Sequence, residues 1–533
     1  MGETTHGLRL ARTCLFVSVP AAYGVLALAL GMDANWDLRN YHYYNAYAFL
    51  SGRLGFDLLL AHVPTFFNPT IDVPFFLAAE AWPARVVGFL LGAAQGLNVI
   101  PLFGIAYALL RLEARWRIGT AAGLALLGVT GVGALSLVGT TFYDNVVSLG
   151  PLLGLWLVVA RLRAGEAAPV GPVVALAAGA IAGLAVGLKP TVAPFALGLS
   201  AGMLVLSGSP WRRASLALSC GAGVLLGALV TAGHWMVVLW QSYGNPVFPF
   251  FNQLFRSPHA LAEDYRHVFY LPDTLWERLV FPVVFTLDPF SAADVPFRDH
   301  RVLAAFVLVP AGALIALARA LRGKAAPPPI AEPAPRRFVL AAMAAAYVVW
   351  VALFCIYRYL IPLEMLAPLV IVLALDAFPG RRALKLATAA SVLAIVVLTM
   401  RPTDWGRVPW TEKWVAAEVP PLARPERTIV LVTGAEPLSF LVPSFPPAVR
   451  FLRIYGRFAG PSEGFERTMR ETVARHDGDL YALFIPNDAG TALTSVARFG
   501  LAIAWPGCRP VMSTIGYMPY DLCPLAREGD ARP

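Results

Sequence analysis

About eleven runs of roughly 20 apolar residues leave this chain few options, because a run of that length matches the hydrocarbon thickness of a bilayer. They fall near 8 to 31, 84 to 110, 118 to 138, 146 to 160, 170 to 188, 191 to 207, 214 to 240, 302 to 318, 338 to 357, 360 to 378 and 384 to 400. Composition agrees with that reading. Of 533 residues 58% are hydrophobic and 14% charged, where a soluble protein carries about 25% charge. The 45 Gly and 44 Pro suit transmembrane helices, which tolerate both better than soluble helices do. A soluble enzyme is excluded.

The 42 Lys+Arg exceed the 33 Asp+Glu, a net charge of +9. The basic residues gather in alternate short loops: Arg111, Arg115 and Arg117; Arg161 and Arg163; Arg212 and Arg213; Arg319, Arg322 and Lys324; Arg381, Arg382 and Lys385. Positive loops stay cytoplasmic, so this is orientation charge, and no nucleic-acid partner is expected. Arg9 and Arg12 with the box Ala27-Leu28-Ala29 resemble a signal peptide, but the apolar stretch is too long for one, and an uncleaved first helix is expected. An odd span count with the N-terminus inside places residues 401–533 and the loops at 32–83 and 241–301 outside. The expected setting is the plasma (inner) membrane, with the C-terminal domain periplasmic.

The division this implies is a transmembrane domain over 1–400 and an extracytoplasmic domain over 401–533. Strands are expected at Thr428–Thr433, Val449–Tyr455, Leu480–Ile485 and Leu501–Trp505, and a polar helix at Ser462–His476, which makes a small α/β domain. Of five cysteines, Cys14, Cys220 and Cys355 read as small apolar residues, and Cys508 and Cys523 are a candidate disulfide in an oxidising compartment. The Pro-rich stretch Lys324–Arg337 reads as a flexible cytoplasmic linker. No CxxC, HExxH or P-loop string occurs.

The first outer loop carries Asp33-Ala-Asn35-Trp36-Asp37-Leu-Arg39-Asn40-Tyr41-His42-Tyr43-Tyr44-Asn45. Leu38, Tyr41, Tyr44 or Asn45, and Ala48 fall at helical spacing, which predicts an amphipathic helix in the headgroup layer with its tyrosines at the interface. Asp37 stands at its start, and the plain structural role there is an N-cap. With the following stretch ending Phe49-Leu-Ser-Gly-Arg53, this element resembles the first outer loop of the GT-C membrane glycosyltransferases, such as the protein O-mannosyltransferases and the lipid A aminoarabinose transferases. Those show Asp-Glu-x-x-Tyr there, with the aspartate the proposed general base; Leu38 replaces the second acid. Thr141-Phe-Tyr143-Asp144-Asn145 looks like the family's second acidic site. Gly183-Leu-Ala-Val-Gly187-Leu-Lys189-Pro190 looks like its Gly-rich run ending in lysine, and Arg358-Tyr359-Leu-Ile-Pro362 like its Arg-x-x-x-Pro element. The resemblance covers about residues 8 to 400.

What the resemblance implies is a GT-C-like all-α polytopic bundle of about 11 transmembrane helices with a small C-terminal α/β domain. Its activity would be inverting transfer of a sugar from a polyprenyl-phosphate donor to a hydroxyl of a lipid, glycan or protein at the outer face. Asp37 is then the base, and Lys189 and Arg358 bind the donor phosphate. Asp144 binds a divalent ion or orients the acceptor, two roles the residues leave open; no cofactor beyond such an ion is read. Asp72 and His62, in Pro- and aromatic-rich outer-loop strings, are secondary candidates for acceptor or metal contact, and His259 with His267 is not expected to bind metal. The alternative activity is transport or flipping of a lipid-linked glycan, although no internal repeat supports it.

Overall fold

The computed structural model describes residues 2–164, 170–324, 328–456, 464–516 and 519–527. They form two compact units, each built from three chain segments: residues 1–29, 89–233 and 267–405 in the first, and 30–88, 234–266 and 406–533 in the second.

The expected apolar windows are all helical. Eight helices among the described residues are long and apolar enough to cross a membrane, two more, Pro172–Leu188 and Pro190–Val205, are shorter, and Ala114–Val129 with Val132–Ser136 occupies the remaining window. This is a multi-pass membrane protein.

Within the first unit the basic loops are tied to one another at one end of the helices. Arg111 and Arg163 both reach Glu332, at 3.4 and 3.2 Å, and Arg336 and Lys385 both meet Asp376. The stretch 324–337 is therefore no free linker over its described part. Ile330 and Ala331 are buried, the Glu332 amide donates to Leu109 O, the Ile330 amide donates to Asp376, and a helix begins at Pro333, whose missing N–H costs nothing in a first turn. Residues 325–327 lie outside the described ones. The span Asp144–Ala164 carries Asp144 at one end and Arg163 at the other, about 30 Å apart at the helical rise.

The window at 118 to 138 breaks at Thr130 and Gly131, and buried charges answer the break on both sides. Arg301 donates to the Leu127 and Thr130 carbonyls at 2.7 and 3.1 Å while holding Asp299 at 2.9 Å. Asp299 accepts from the Val132 amide, and Glu364 from the amides of Gly133 and Ala134, all within 3.0 Å. Helix ends leave such groups unpaired, and apolar surroundings cannot satisfy them. A methyl added at Gly131 would overlap Glu364 Oε1, so glycine is required there for space.

In the second unit the strands are β1 (Met32–Asp33), β2 (Arg407–Val408), β3 (Ala417–Glu418), β4 (Thr428–Val432), β5 (Arg450–Arg453), β6 (Asp479–Phe484), β7 (Leu501–Ile503), β8 (Arg509–Ser513) and β9 (Tyr520–Arg527). β1 pairs with β2, and the rest form a mixed sheet in the order β3-β8-β9-β6-β4-β5, with β7 also on β9. β4 lies parallel to both β5 and β6, and all five of its residues are buried, as parallel strands covered on both faces must be. The polar helix runs Phe465–Arg475 and sends Met469 and Val473 into the core; Ser462 lies outside the described residues. β8 and β9 were not foreseen. Their register sets Arg509 opposite Leu522 and so Cys508 opposite Cys523, and those two are joined in a disulfide.

The edge of β5 is covered by the first outer loop. Leu58 N donates to Phe451 O, and Arg453 N to Leu58 O. Arg53 grips Asp57 with two bonds of 2.6 and 2.9 Å and donates to the carbonyls of Pro447 and Val449. Open sheet edges recruit foreign strands, and this cover prevents it.

Gly131→Ala is expected to lower the melting temperature of the detergent-solubilised protein, with a cost of about 1–3 kcal/mol typical of overpacking. Gly119→Ala, where an added methyl meets nothing within 4 Å, should melt with the wild type. Equal melting of both variants would show that Glu364 yields freely.

Candidate active site

Asp144, Lys189 and Arg358 come from three separate stretches of the first unit and meet. Lys189 Nζ stands 2.9 Å from one Asp144 oxygen, and Arg358 Nη1 stands 3.7 Å from the other. All three side chains are nearly buried, at 3% exposure for Asp144, 11% for Lys189 and 13% for Arg358.

Each has a local cause. Asp144 follows a tight loop held by a web of buried amides: Gln95 accepts from Gly139 N and donates to Thr140 O, Asn98 donates to Asn145 O, and Asn145 donates to Ala134 O. Tyr143, with φ of 60°, turns the chain into the helix that Asp144 starts. Lys189 ends the helix Pro172–Leu188, since Pro190 supplies no N–H and forces the residue before it into an extended conformation. Gly179, Gly183 and Gly187 line the face of that helix against Pro210–Tyr243, where added methyls would overlap Cys220, Val224, Ala228 and Thr231. The glycine run is thus a close helix contact, and it delivers Lys189 to its place. Arg358 lies on a single 3₁₀ turn, Tyr357–Leu360, that opens the span Tyr357–Leu375, and Tyr357 N is held by Ala292 O at 2.8 Å.

Aromatic rings wall the cluster. The Arg358 guanidinium sits 3.9 Å over Phe142, 5.3 Å from Tyr359 and 5.7 Å from Trp405, and Lys189 donates to Phe142 O. Arg358 also lines a cleft with Ser136, Phe297, Tyr357, Thr403 and Trp405. Lys189 and Arg358 thus bring two cationic donors together beside one carboxylate in a poorly hydrated setting. Among the described residues no three His, Cys, Asp or Glu side chains are placed to hold a metal ion.

Asp37, Asp72 and His62 belong to the second unit. Asp37 is not the N-cap. Its backbone is already helical and its side chain makes no cap bond; Asn35 Oδ1 accepts from Leu38 N at 2.8 Å instead. The Asp37 carboxylate accepts from the Tyr41 hydroxyl at 3.1 Å. The segment expected to float in the headgroup layer is a π turn, Leu38–His42, running into the helix Tyr43–Leu50, and most of it is buried. Its tyrosines turn inward because carboxylates await their hydroxyls: Glu80 for Tyr43 and Asp57 for Tyr44.

Asp72 is buried and lies 2.7 Å from His42 Nδ1, a partner not singled out in the sequence although it stands inside the quoted string. His62 sits beside Gly456 and near Arg453. Burial, then the Arg453 charge, push its pKa down to about 3, against a weaker pull from a bond with the Ala435 backbone. Arg453, wholly buried, donates to the carbonyls of Leu60, Gly434 and Glu436; burial lowers its pKa to about 9. A lone arginine in a strand gave no sequence sign of this.

No family model and no curated protein matches the sequence. Among solved structures, the crystal structure of the Archaeoglobus fulgidus oligosaccharyltransferase in the apo form is similar at 12% identity and a TM-score of 0.42, over 90% of this chain and 71% of that one.

His62 is neutral in the fold and titrates near 6.5 when unfolded, so the unfolded state binds the extra proton as pH falls. Stability should drop between pH 6.5 and about 3, by roughly 2 kcal/mol at pH 5 from this group alone. The difference in melting between wild type and His62→Gln, followed from pH 8 to 5, should narrow or reverse on acidification. A constant difference would show that His62 does not govern it.

Proposed function

We propose that this chain is a membrane glycosyltransferase of the GT-C kind, which moves a sugar from a polyprenyl-phosphate donor to a hydroxyl acceptor at the outer face. The observation that carries the reading is the Lys189–Asp144–Arg358 cluster, at the end of the helices opposite the basic loops. A sugar phosphodiester is an anion, and Lys189 and Arg358 are the two cationic donors that this cluster offers it.

In the proposed reaction the acceptor oxygen attacks the anomeric carbon as its proton passes to Asp37. The bond from that carbon to the phosphate oxygen breaks, and the electron pair leaves with the polyprenyl phosphate. A single displacement of this kind inverts the anomeric centre. Charge builds on the departing phosphate, where Arg358 would act as a fork and Lys189 as a point charge. Asp144 orients the two cations in this scheme. Asp37 suits the base because Asn35 performs the capping that would otherwise account for it, and it directly precedes a π turn, a form common at functional sites. Membrane lipids are constant partners, and the acceptor is a lipid, glycan or protein hydroxyl.

Asp37→Asn is expected to lower turnover about 10²- to 10⁴-fold with donor binding nearly unchanged, since it removes a base and keeps the shape. Turnover near wild type would take the base role from Asp37.

Purified protein in nanodiscs should use a polyprenyl-phosphate sugar and not a nucleotide sugar. Lys189→Ala and Arg358→Ala should each lower kcat/KM about 10²- to 10³-fold, the usual effect of losing one donor to a developing anion. Use of nucleotide sugar, or wild-type kinetics in both variants, would overturn the phosphate site and favour movement of a lipid-linked glycan.

A further inference from the structure

Between the second long polar loop and the span Arg301–Leu321 the first unit makes two short helices in succession, Leu275–Leu279 and Phe281–Leu287. Their inner face is buried: Phe281 packs 5.7 Å from Trp350, and Phe285 5.4 Å from Tyr357. The outer face carries Leu275, Leu279, Val283 and Leu287, four residues apart each time, with Trp276 and then Phe290 alongside. All six are exposed, Leu275 at 72% and Leu287 at 81%. No charged side chain interrupts the stripe of four.

We propose that this stripe is embedded in lipid, lying along the membrane boundary at the end of the bundle that carries Arg358, with the acyl chains of the nearest leaflet as its occupant. Three observations argue for lipid. Trp350 and Tyr357, on which the inner face rests, stand at adjoining ends of the spans Pro333–Leu353 and Tyr357–Leu375. The pair of helices is therefore held at the depth where spans leave the hydrocarbon. The stripe is also continuous in character with the outward residues of the neighbouring spans, among them Val307, Leu314 and Val348, which are likewise exposed and apolar. Finally, the backbone is paired as lipid requires. Thr274 and Glu277 close a capping box at the start, Val283 and Val284 N both reach Val280 O across the junction, and Asp288 N reaches Val284 O at the end. Asp273 and Asp288 flank the stripe of four in sequence. Amphipathic helices of this kind sink about 5–10 Å below the headgroups.

The test is a nitroxide at Leu279→Cys or Leu287→Cys, in a Cys14→Ser background of the full chain in phosphatidylglycerol nanodiscs, with Arg475→Cys as the water-exposed reference. Collision with oxygen should exceed collision with a nickel chelate several-fold at both stripe positions, and the ratio should invert at 475. Nickel access equal to that at 475 would overturn the proposal in favour of a water-facing surface. Exclusion of both reagents would overturn it in favour of a protein partner. Independently of any label, lipid brominated near the headgroup should quench wild-type tryptophan emission more than that of Trp276→Phe; equal fractional quenching would also overturn it.

Discussion

Apolar surroundings cannot satisfy a peptide group, and much of what is particular to this protein follows from where its helices are nevertheless interrupted. At Thr130 and Gly131 the break is tolerated because Arg301 takes the carbonyls on one side while Asp299 and Glu364 take the amides on the other. Burying those three charges is expensive, and each is held by paired hydrogen bonds or by the others. Removing one would expose the rest. The short helix so fixed leads through Gly139 and the Gln95 bonds directly to the loop that ends in Asp144, so the candidate site inherits its geometry from the repair of a broken span.

Arg358 and Lys189 sit at interruptions of the same sort. A charged side chain in the middle of an apolar helix would face lipid or a packed neighbour, whereas at Pro190 and at the 3₁₀ turn after Leu353 the chain changes direction and can aim a cation at a partner. The aromatic walls serve the same end. A guanidinium over Phe142 gains from the ring face while losing little water that it could have kept.

Much of this was legible in the sequence. The apolar windows predict helices in the right places, because twenty apolar residues have one stable outcome in lipid, and the strings around Asp144, Lys189 and Arg358 point to residues that prove to be neighbours. Other features were not legible, for definite reasons. The interfacial reading of Tyr41–Tyr44 failed because periodicity reports a face without reporting what covers it, and here Glu80 and Asp57 draw the hydroxyls inward. β8 and β9 escaped because Pro510 and Pro524 break the alternation expected of strands. Glu364 escaped because a lone acid in an apolar run carries no sign of the two amides it serves.

The π turn at Leu38–His42 extends the same reasoning to the second unit. A turn widened by one residue shifts its carbonyls out of line with the amides that would follow in an α-helix, so an outside donor must compensate. That donor is the Ser439 hydroxyl, which reaches the carbonyls of Arg39 and Asn40. Ser439 lies on a turn of the C-terminal segment, just beyond β4, and is itself buried. The sheet domain thus does more than cover the loop: through one hydroxyl it satisfies carbonyls of the turn that directly follows Asp37. A segment of the C-terminal tail thereby helps to hold the turn next to the candidate base.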